Sequence, residues 1–237
     1  SSAASDVYKR QIIRGAKRRI LEICIKSDDE IKYADYDFKN FDNFSREQII
    51  DALLSSGLWP FIKQRPYDVI ANPYDTPKSI HISAFKSAPI SVDNDFALYG
   101  MNNLFQIGLD IISKLTLGTT HLNLDGNTNS STTFTEAKGV QINKFSGPHP
   151  AGNVGVQMHH IDPVNKGEVV WSLEPQDIIV IARLFTEGKF DVSRIIAVCG
   201  SQILKPRYYR TILGTCISNF LKDNLKEGDS RFISGDV

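Results

Sequence analysis

The sequence has few cysteines and no long hydrophobic run, and these two absences exclude several classes of protein. The three cysteines, Cys24, Cys199 and Cys216, are odd in number and far apart. They argue against a disulfide scaffold and against a CxxC-type metal site, and they favour a reducing cytoplasmic environment. The longest mostly apolar stretch, residues 96–117, is interrupted by polar and charged residues. It is therefore not a membrane span, which needs about 20 apolar residues.

An excess of charge of either sign is also missing. Lys and Arg together number 27, as do Asp and Glu. This balance argues against an extended basic surface for nucleic acid and against a disordered acidic tail. Residues 1–11 contain no apolar segment of the kind found in signal peptides, and we expect them to be non-native or disordered.

Local patterns predict alternating strands and helices. Ser45 followed by Gln48 forms a capping box, which predicts a helix that ends at Gly57. Further helices are predicted from Asp93 or Asn94 to Gly118, across a continuous apolar face, and over residues 175–188. Residues 58–77 contain four prolines and are predicted to be a loop. The predicted strands cover residues 18–25 and 31–34 (a hairpin through Asp28 and Asp29), 79–85, 121–124, 139–145, 168–173 and 195–198.

This alternation favours an α/β fold. We expect a Rossmann-like domain with a parallel or mixed sheet over residues 42–190. A β-hairpin over residues 12–41 would precede it, and a small α+β unit over residues 191–237 would follow it.

A loop rich in glycine and proline is the densest group of unusual residues. Residues 146–155 read SGPHPAGNVG, and two adjacent histidines follow at positions 159 and 160. Glycine lets a backbone approach a partner closely, the two prolines stiffen the loop, and an X-Pro bond here could be cis. A ligand or partner loop and a tight structural crossover both fit this pattern. The candidate contact residues are Gly147, Pro148, His149, Pro150, Gly152, Gly155 and His160.

The same loop lacks the patterns of phosphate-binding loops. Its glycines do not have the GxGxxG spacing of a dinucleotide fingerprint, and no Gly-Lys-Ser/Thr follows. His159 and His160 are predicted on a strand, where neighbours point to opposite faces, so at most one could join His149. We expect no metal site. His81 and His121, each on a predicted strand, are interpreted as structural histidines.

A second candidate segment, residues 58–67, mixes aromatic and basic side chains. Trp59 and Phe61 could stack on a planar ring while Arg65 donates to its carbonyl group. The same segment could equally be a hydrophobic plug over the edge of the sheet.

Several blocks of sequence, in one collinear order, resemble the NqrA family, which contributes one subunit to the sodium-translocating NADH:quinone reductase. The loop over residues 146–155, called the Gly/Pro/His loop below, resembles that family's signature segment together with the Asp162-Pro163-Val164 segment after it. Asn153, Val154 and residues 158–160 depart from it. The other matching blocks are residues 46–48, 56–59, 65–67, 176–181, 184–188, 206–207, 210–211, 213–214 and 231–235.

The resemblance implies a place within a longer chain. Residues 12–41 would be the remnant of an N-terminal barrel-sandwich domain, and residues 191–237 would be a β-grasp-like (SLBB-type) unit, incomplete at its end. The family is similar to the flavin-binding subunit of respiratory complex I, but the flavin-binding glycine motif and the cluster cysteines are absent here.

The resemblance also implies a function for the whole complex, which couples electron transfer from NADH to quinone with sodium export. This chain would bind no cofactor itself, since NADH, FAD, FMN, riboflavin, the iron–sulfur centre and Na⁺ would be held by sister subunits. Those subunits are the expected partners, with quinone as a further candidate, and nucleic acid and a direct membrane span are not expected. The expected location is the cytoplasmic face of the bacterial inner membrane.

Two roles remain open for this chain within such a complex. It could contact quinone through the Trp59 segment or the His149 loop, or it could be a scaffold that binds sister subunits, which is the preferred interpretation. An exposed apolar pocket near Trp59 would favour quinone contact, whereas a flat apolar patch with no cavity would favour the scaffold. The alternative outside this family is a stand-alone α/β ligand-binding protein without catalytic activity.

Overall fold

The computed structural model describes residues 10–14, 20–25, 32–38 and 40–235. The chain divides into two compact units, Ser1–Ala34 and Asp35–Val237, and each is described by itself. Across the described ranges, no helix has the length and apolar character that crossing a membrane requires.

The first unit contains a two-stranded antiparallel sheet. Strand β1 (Arg10–Arg14) pairs with β2 (Ile20–Ile25). A hairpin was expected here, but its predicted second strand is wrong, since residues 32–34 lie outside any strand. The partner of β2 is β1 instead. The expected turn at Asp28 and Asp29 lies outside the described residues, and so do residues 1–9.

The second unit is built around a six-stranded mixed sheet, which confirms the expected mixed α/β class. The strand order is β4-β3-β8-β5-β6-β7, with β8, β5, β6 and β7 parallel and β3 and β4 antiparallel at one edge. The predicted loop over residues 58–77 is wrong in part, because β3 and β4 lie within it, and the pairing of β3 with β8 is a tertiary contact. The strands are β3 (Lys63–Arg65), β4 (Val69–Ile70), β5 (Ile80–Ser83), β6 (Thr120–Asp125), β7 (Gln141–Phe145) and β8 (Val170–Leu173).

Two long helices begin and end where local signals place them. Helix α1 (Arg46–Ser56) starts at the Ser45 capping box, in which the Gln48 amide donates to Ser45 Oγ at 3.3 Å and Gln48 Oε1 accepts from the Ser45 amide at 2.8 Å. The helix over Pro175–Glu187 has proline at its first position and ends at Gly188, whose φ of 65° is left-handed. Both predictions are confirmed.

The single long helix predicted after Asp93 is wrong, because the chain forms two helices there. Asp93 does cap the first, α2 (Asn94–Ala97), because its side chain accepts from the amides of Asp95 and Phe96. The chain then leaves the helical path at Gly100, where φ is 75°, and resumes as α3 (Asn102–Ser113). The apolar residues on both sides of this break face the same core, which makes the sequence pattern look continuous.

Two more helices lie where no helix was predicted. Helix α4 (Thr132–Thr135) is a single turn. Helix α5 (Val154–Ile161) replaces the strand predicted to carry His159 and His160. Its apolar residues Val154, Met158 and Ile161 recur at intervals of four and three, which is the helical period.

The central sheet has one apolar and one polar face. Alternation places buried Ile80, Ile82, Leu122 and Leu124 on one face, where they join a core cluster with residues of α1, α3 and the 175–187 helix, now α6. This packing is close: a Cβ on Gly108 of α3 would meet the Ile178 carbonyl oxygen at 2.5 Å. The opposite face is also buried but polar, and α5 covers it. Its residues include His81, Ser83, His121, Asn123 and Ser172.

The last part of the chain forms a second antiparallel pair, β9 (Ser193–Val198) with β10 (Arg207–Ile212). A short helix, α7 (Ser218–Leu221), follows.

Candidate functional site

The topology of the parallel strands creates a crevice at one end of the sheet. The chain runs from β5 to β6 and β7 on one side, then crosses over to add β8 on the other side of β5. The order of the strands therefore reverses between β5 and β8, and open α/β sheets bind ligands at the carboxyl ends of the strands at such a point. Here those ends are Ser83 and Leu173.

Two cavities lie at this crevice. The larger, of about 560 Å³, extends toward β3 and the segment after α6, and the smaller, of about 430 Å³, extends toward the loop before α5. Their walls share Arg65, Ser83, Val154 and Glu174. Cavities of this size accommodate small molecules. The larger has mixed walls, with apolar groups from Pro60, Phe61, Leu173, Phe190 and Leu213 beside charged groups from Lys63, Arg65, Asp177 and Arg194.

The glycine-rich loop is fixed against the end of β5 by hydrogen bonds. The Gly152 amide donates to Ser87 Oγ at 2.7 Å, and Ser83 Oγ donates to the Gly152 carbonyl oxygen at 3.2 Å. Ser87 Oγ also lies 3.1 Å from His149 Nδ1. A Cβ on Gly152 would come within 2.4 Å of the Ser87 amide nitrogen, so glycine is needed for this approach. The His149-Pro150 peptide bond of this loop is cis.

Basic side chains in the crevice are partly neutralised by acidic ones. Arg65 lies 3.3 Å from the Asp68 carboxylate, and its Nε donates to Ser172 Oγ at 3.4 Å. Lys86 Nζ lies 2.7 Å from the Glu174 carboxylate. Arg65 is the basic group common to both cavities, and its side chain is 25% exposed, so it can reach a ligand from either side.

The Asp177–Arg194 pair is the most buried charged element of the site. Arg194 Nη2 donates to Asp177 Oδ1 at 2.8 Å, and the guanidinium lies over the Phe61 ring with its carbon 5.6 Å from the centroid. Burial raises the pKa of Asp177 to about 6, and although Arg194 acts in the opposite direction, the nearby Glu174 carboxylate adds to the rise.

The structure separates the candidate residues of the sequence into groups. Phe61 and Arg65 line the larger cavity, and Gly152 and Gly155 line the smaller one with Arg65. Trp59 lines neither, because its indole is buried in the core, 5.5 Å from the Trp171 ring. The exposed residues Gly147, Pro148, His149, Pro150 and His160 do not line either cavity.

Trp59 therefore has a structural contact that can be tested by substitution. Its Nε1 donates to the buried Ala71 carbonyl oxygen at 2.7 Å. We expect Trp59→Phe to lower the free energy of unfolding by about 2 kcal/mol, because the carbonyl loses its partner and the ring volume shrinks. Chemical denaturation measures this, with Tyr67→Phe, at an exposed position, as the control. Equal stability of both variants would contradict the assignment.

Sequence reasoning missed Lys86, Glu174, Asp177 and Arg194, which complete the crevice. They lie on three separate segments, after β5, at the start of α6 and in β9, and only tertiary packing brings these segments together. Among the described residues, no three His, Cys, Asp or Glu side chains are grouped in a way that could hold a metal ion.

Two family models match most of the chain. The model described as the NqrA second alpha/beta domain matches residues 44–190, and the one described as the NQRA C-terminal domain matches residues 195–237.

Curated relatives named as the NqrA component of Na⁺-translocating NADH-quinone reductase are similar over nearly the whole chain. The Alcanivorax borkumensis protein is 36% identical over 231 residues, which cover 95% of this chain and 51% of the relative. The Pasteurella multocida protein is 34% identical over 228 residues, with coverage of 95% and 51%. The chain thus spans about half the length of the curated relatives it matches.

Among solved structures, the fold is similar to that of a chain of the NAD⁺-reducing [NiFe]-hydrogenase in the air-oxidised state. The TM-score is 0.55 at 13% identity, and the match covers 78% of this chain and 40% of that chain. At this identity the likeness concerns the fold alone.

Proposed function

Because this chain belongs to the NqrA family, we propose that it acts as part of the NqrA component of a sodium-translocating NADH:quinone reductase and provides a quinone-access site at the crevice. The complex would couple electron transfer from NADH to quinone with sodium export. In this proposal the chain is peripheral, on the cytoplasmic face of the bacterial inner membrane, and sister subunits hold NADH, the flavins, the iron–sulfur centre and Na⁺.

The finer domain assignments belong to the same proposal. Residues 12–41 would derive from a barrel-sandwich domain, residues 42–190 would be the Rossmann-like domain, and residues 191–237 would be a β-grasp-like unit. The antiparallel pairs β1–β2 and β9–β10 are compatible with these assignments.

The cavity of about 560 Å³ is the observation that carries the quinone proposal. Pro60 and Phe61 of the 59–61 segment line it, and an exposed apolar pocket near this segment was expected to favour quinone contact over a flat apolar patch. A quinone headgroup is a flat ring with two carbonyl acceptors. Phe61 and Leu213 offer apolar contact to such a ring, and Arg65 offers a donor to a carbonyl oxygen. The chain's own residues would bind and orient the ring, and its redox partners would be elsewhere.

We expect the purified chain to bind ubiquinone-1 saturably at pH 7.5, measured by titration calorimetry. Val154→Phe should weaken binding at least tenfold, because position 154 lies where the two cavities meet. Arg65→Met should weaken it by a similar factor through the loss of a charged donor, worth roughly 1.5–3 kcal/mol. His160→Phe adds a ring at the exposed end of the same helix and is the matched control.

Each contrary result has a definite meaning for this site. A wild-type chain that binds no ubiquinone-1 would rule out quinone access through this chain alone. Saturable binding that is unchanged in Val154→Phe would place the quinone outside the crevice.

A scaffold role is the second candidate, and one surface favours it. The edge strand β4 and its flanks expose Tyr67, Val69, Ile70 and Tyr74, each at least half exposed. Exposed apolar groups at a sheet edge are typical of protein contacts. Pull-down of the sister subunits with Tyr67→Ser/Tyr74→Ser would test this role, and unchanged assembly would contradict it.

A further inference from the structure

A narrow cleft between the end of α2, helix α6 and the β9–β10 pair is bordered by three arginines. Its volume of about 20 Å³ leaves room for a single occupant of the size of a water molecule or a chloride ion, and it is too small for an organic ligand. The apolar part of its wall comes from Ala97, Leu98, Met101, Ile179 and Ile195. The polar part comes from Gln176, Arg183, Ser193, Arg194 and Arg210.

The carboxylates near this cleft neutralise two of the three arginines. Arg183 Nη1 lies 3.3 Å from the Asp191 carboxylate, and Arg194 Nη2 lies 2.8 Å from the Asp177 carboxylate. The Arg210 guanidinium has no carboxylate or hydrogen-bond partner among the residues that the structure describes. Neither Asp177 nor Asp191 lines the cleft itself. One positive charge is therefore left without a counter-ion at this point of the molecule.

Hydrogen-bond donors at the cleft also exceed the acceptors. Arg194 Nε is buried and has no hydrogen-bond partner in the described part of the chain. The two neutral polar side chains have already used their acceptors, because Gln176 Oε1 accepts from the Ile195 amide at 2.8 Å and Ser193 Oγ accepts from Arg183 at 2.9 Å. The Ser193 hydroxyl hydrogen is still available to an occupant. A water molecule would bring two further hydrogens that need acceptors, whereas an anion only accepts.

We propose that this cleft binds one small monovalent anion, with the chemistry of chloride, through Arg194, Arg210 and the Ser193 hydroxyl. A guanidinium group is weakly hydrated and presents several fixed donors, so it suits a weakly hydrated anion. The bound ion supplies the missing counter-charge, and it joins β9 and β10 to α6 in addition to the direct side-chain contacts. The cleft shares only Arg194 with the larger cavity, so the inference does not depend on which ligand that cavity takes.

Urea unfolding of the purified chain at pH 7.5 tests the site, because a ligand that binds only the folded state stabilises it. Chloride replaces gluconate, an anion too large for the cleft, from zero to about 100 mM at constant ionic strength. With a Kd of about 10 mM, the folding equilibrium constant should rise about tenfold and begin to saturate. Equal stability of the wild type in chloride and in gluconate would overturn the proposal and leave the cleft to water.

Two arginine variants on the same strand separate this site from general effects of salt. Arg210→Gln removes the guanidinium that has no carboxylate partner, and the response to chloride should fall below about twofold. Arg207→Gln is the matched control, because Arg207 is also exposed on β10, lies over the Tyr209 ring and does not line the cleft. This control should keep the tenfold response. A response in Arg210→Gln that equals that of Arg207→Gln would place the anion elsewhere.

Bromide locates the ion directly. In crystals of the chain grown with about 100 mM sodium bromide, well above the expected Kd, we expect an anomalous-difference peak in the cleft within hydrogen-bond distance of Arg210. The peak should be missing in Arg210→Gln crystals and present in Arg207→Gln crystals. Wild-type crystals with a water molecule or no peak at this position would overturn the proposal.

Discussion

Acidification from pH 6.5 to pH 4 is expected to lower the stability of this protein through two histidines buried on the polar face of its sheet. His81 and His121 stack with ring centroids 4.5 Å apart, and they are 0% and 5% exposed. His81 Nε2 lies 3.2 Å from Ser79 Oγ, and its Nδ1 has no partner among the described residues. The Asn143 amide nitrogen lies 3.3 Å from His121 Nδ1, which therefore accepts a hydrogen bond as a neutral ring can.

Burial is the main cause of the pH effect. It lowers the pKa of His81 to about 3, with a further contribution from His121, and it also lowers the pKa of His121. The unfolded chain takes up protons near pH 6.5, whereas the folded chain resists them. The stability held by neutral His81 is thus complete above pH 6.5 and declines by roughly 1.4 kcal/mol per pH unit below it. Because the pKa of His121 is also lowered, His121 makes the decline of stability with falling pH steeper.

Protonation of Asp177 changes the stability in the opposite direction to protonation of the two histidines, and this difference provides an internal check. Because its folded-state pKa is raised to about 6, it adds stability as the pH falls from 6 toward 4. Between pH 6 and pH 4 the stability held by neutral His81 falls by about 2.5 kcal/mol, which exceeds the roughly 2 kcal/mol that Asp177 adds, and His121 enlarges the net loss. Asp177→Asn should steepen the decline.

Urea unfolding between pH 4 and pH 7.5 measures this slope. His81→Gln lowers stability at neutral pH through lost packing, but it should also reduce the slope by about 1.4 kcal/mol per pH unit, since one titrating group is removed. His160→Gln, which removes an exposed histidine, should leave the slope unchanged. A His81→Gln variant with the wild-type slope would show that His81 does not control the acid response.

His81 and His121 show which features local sequence patterns could predict and which features depend on tertiary contacts. The alternation in IHIS and THLNLD predicts two strands, each with one polar side. It cannot show that these polar sides lie next to each other and are buried, because that depends on the parallel register of β5 with β6 and on the cover that α5 provides. Helices α1 and α6 were predictable because their caps are local.

The candidate site shows the same division. The Gly/Pro/His loop and the 58–67 segment were recognisable as unusual, and both supply walls of the cavities. Trp59 and Phe61 are two residues apart and equally aromatic, yet one enters the core and the other faces the cavity. No sequence pattern identified Arg194 as a site residue, because its position in the cavity wall depends on the packing of β9 against α6. It also lies more than a hundred residues after Phe61, which lines the same cavity.

Substitution of Gly152 by alanine is expected to be the most damaging small change within the site. The added Cβ would lie 2.4 Å from the Ser87 amide nitrogen and 2.9 Å from the Phe85 carbonyl oxygen, so backbone must move. The movement would also break the Gly152 hydrogen bonds to Ser87 and Ser83. Overpacking of this kind and the lost bonds together should lower the free energy of unfolding by about 3 kcal/mol.

Gly155 supplies the matched control three residues later. A Cβ there meets no atom within 4 Å, and the residue lies in the first turn of α5, so alanine should be neutral or stabilise by up to roughly 1 kcal/mol. Urea unfolding of both variants measures the contrast, and ubiquinone-1 titration shows whether displacement of the loop also removes binding. If Gly152→Ala is as stable as Gly155→Ala, the loop is not fixed against β5 by close packing, and its glycine serves another purpose. The expected separation of the two variants by about 3 kcal/mol instead makes Gly152 the residue that holds the loop, and with it the start of α5, at the wall common to both cavities.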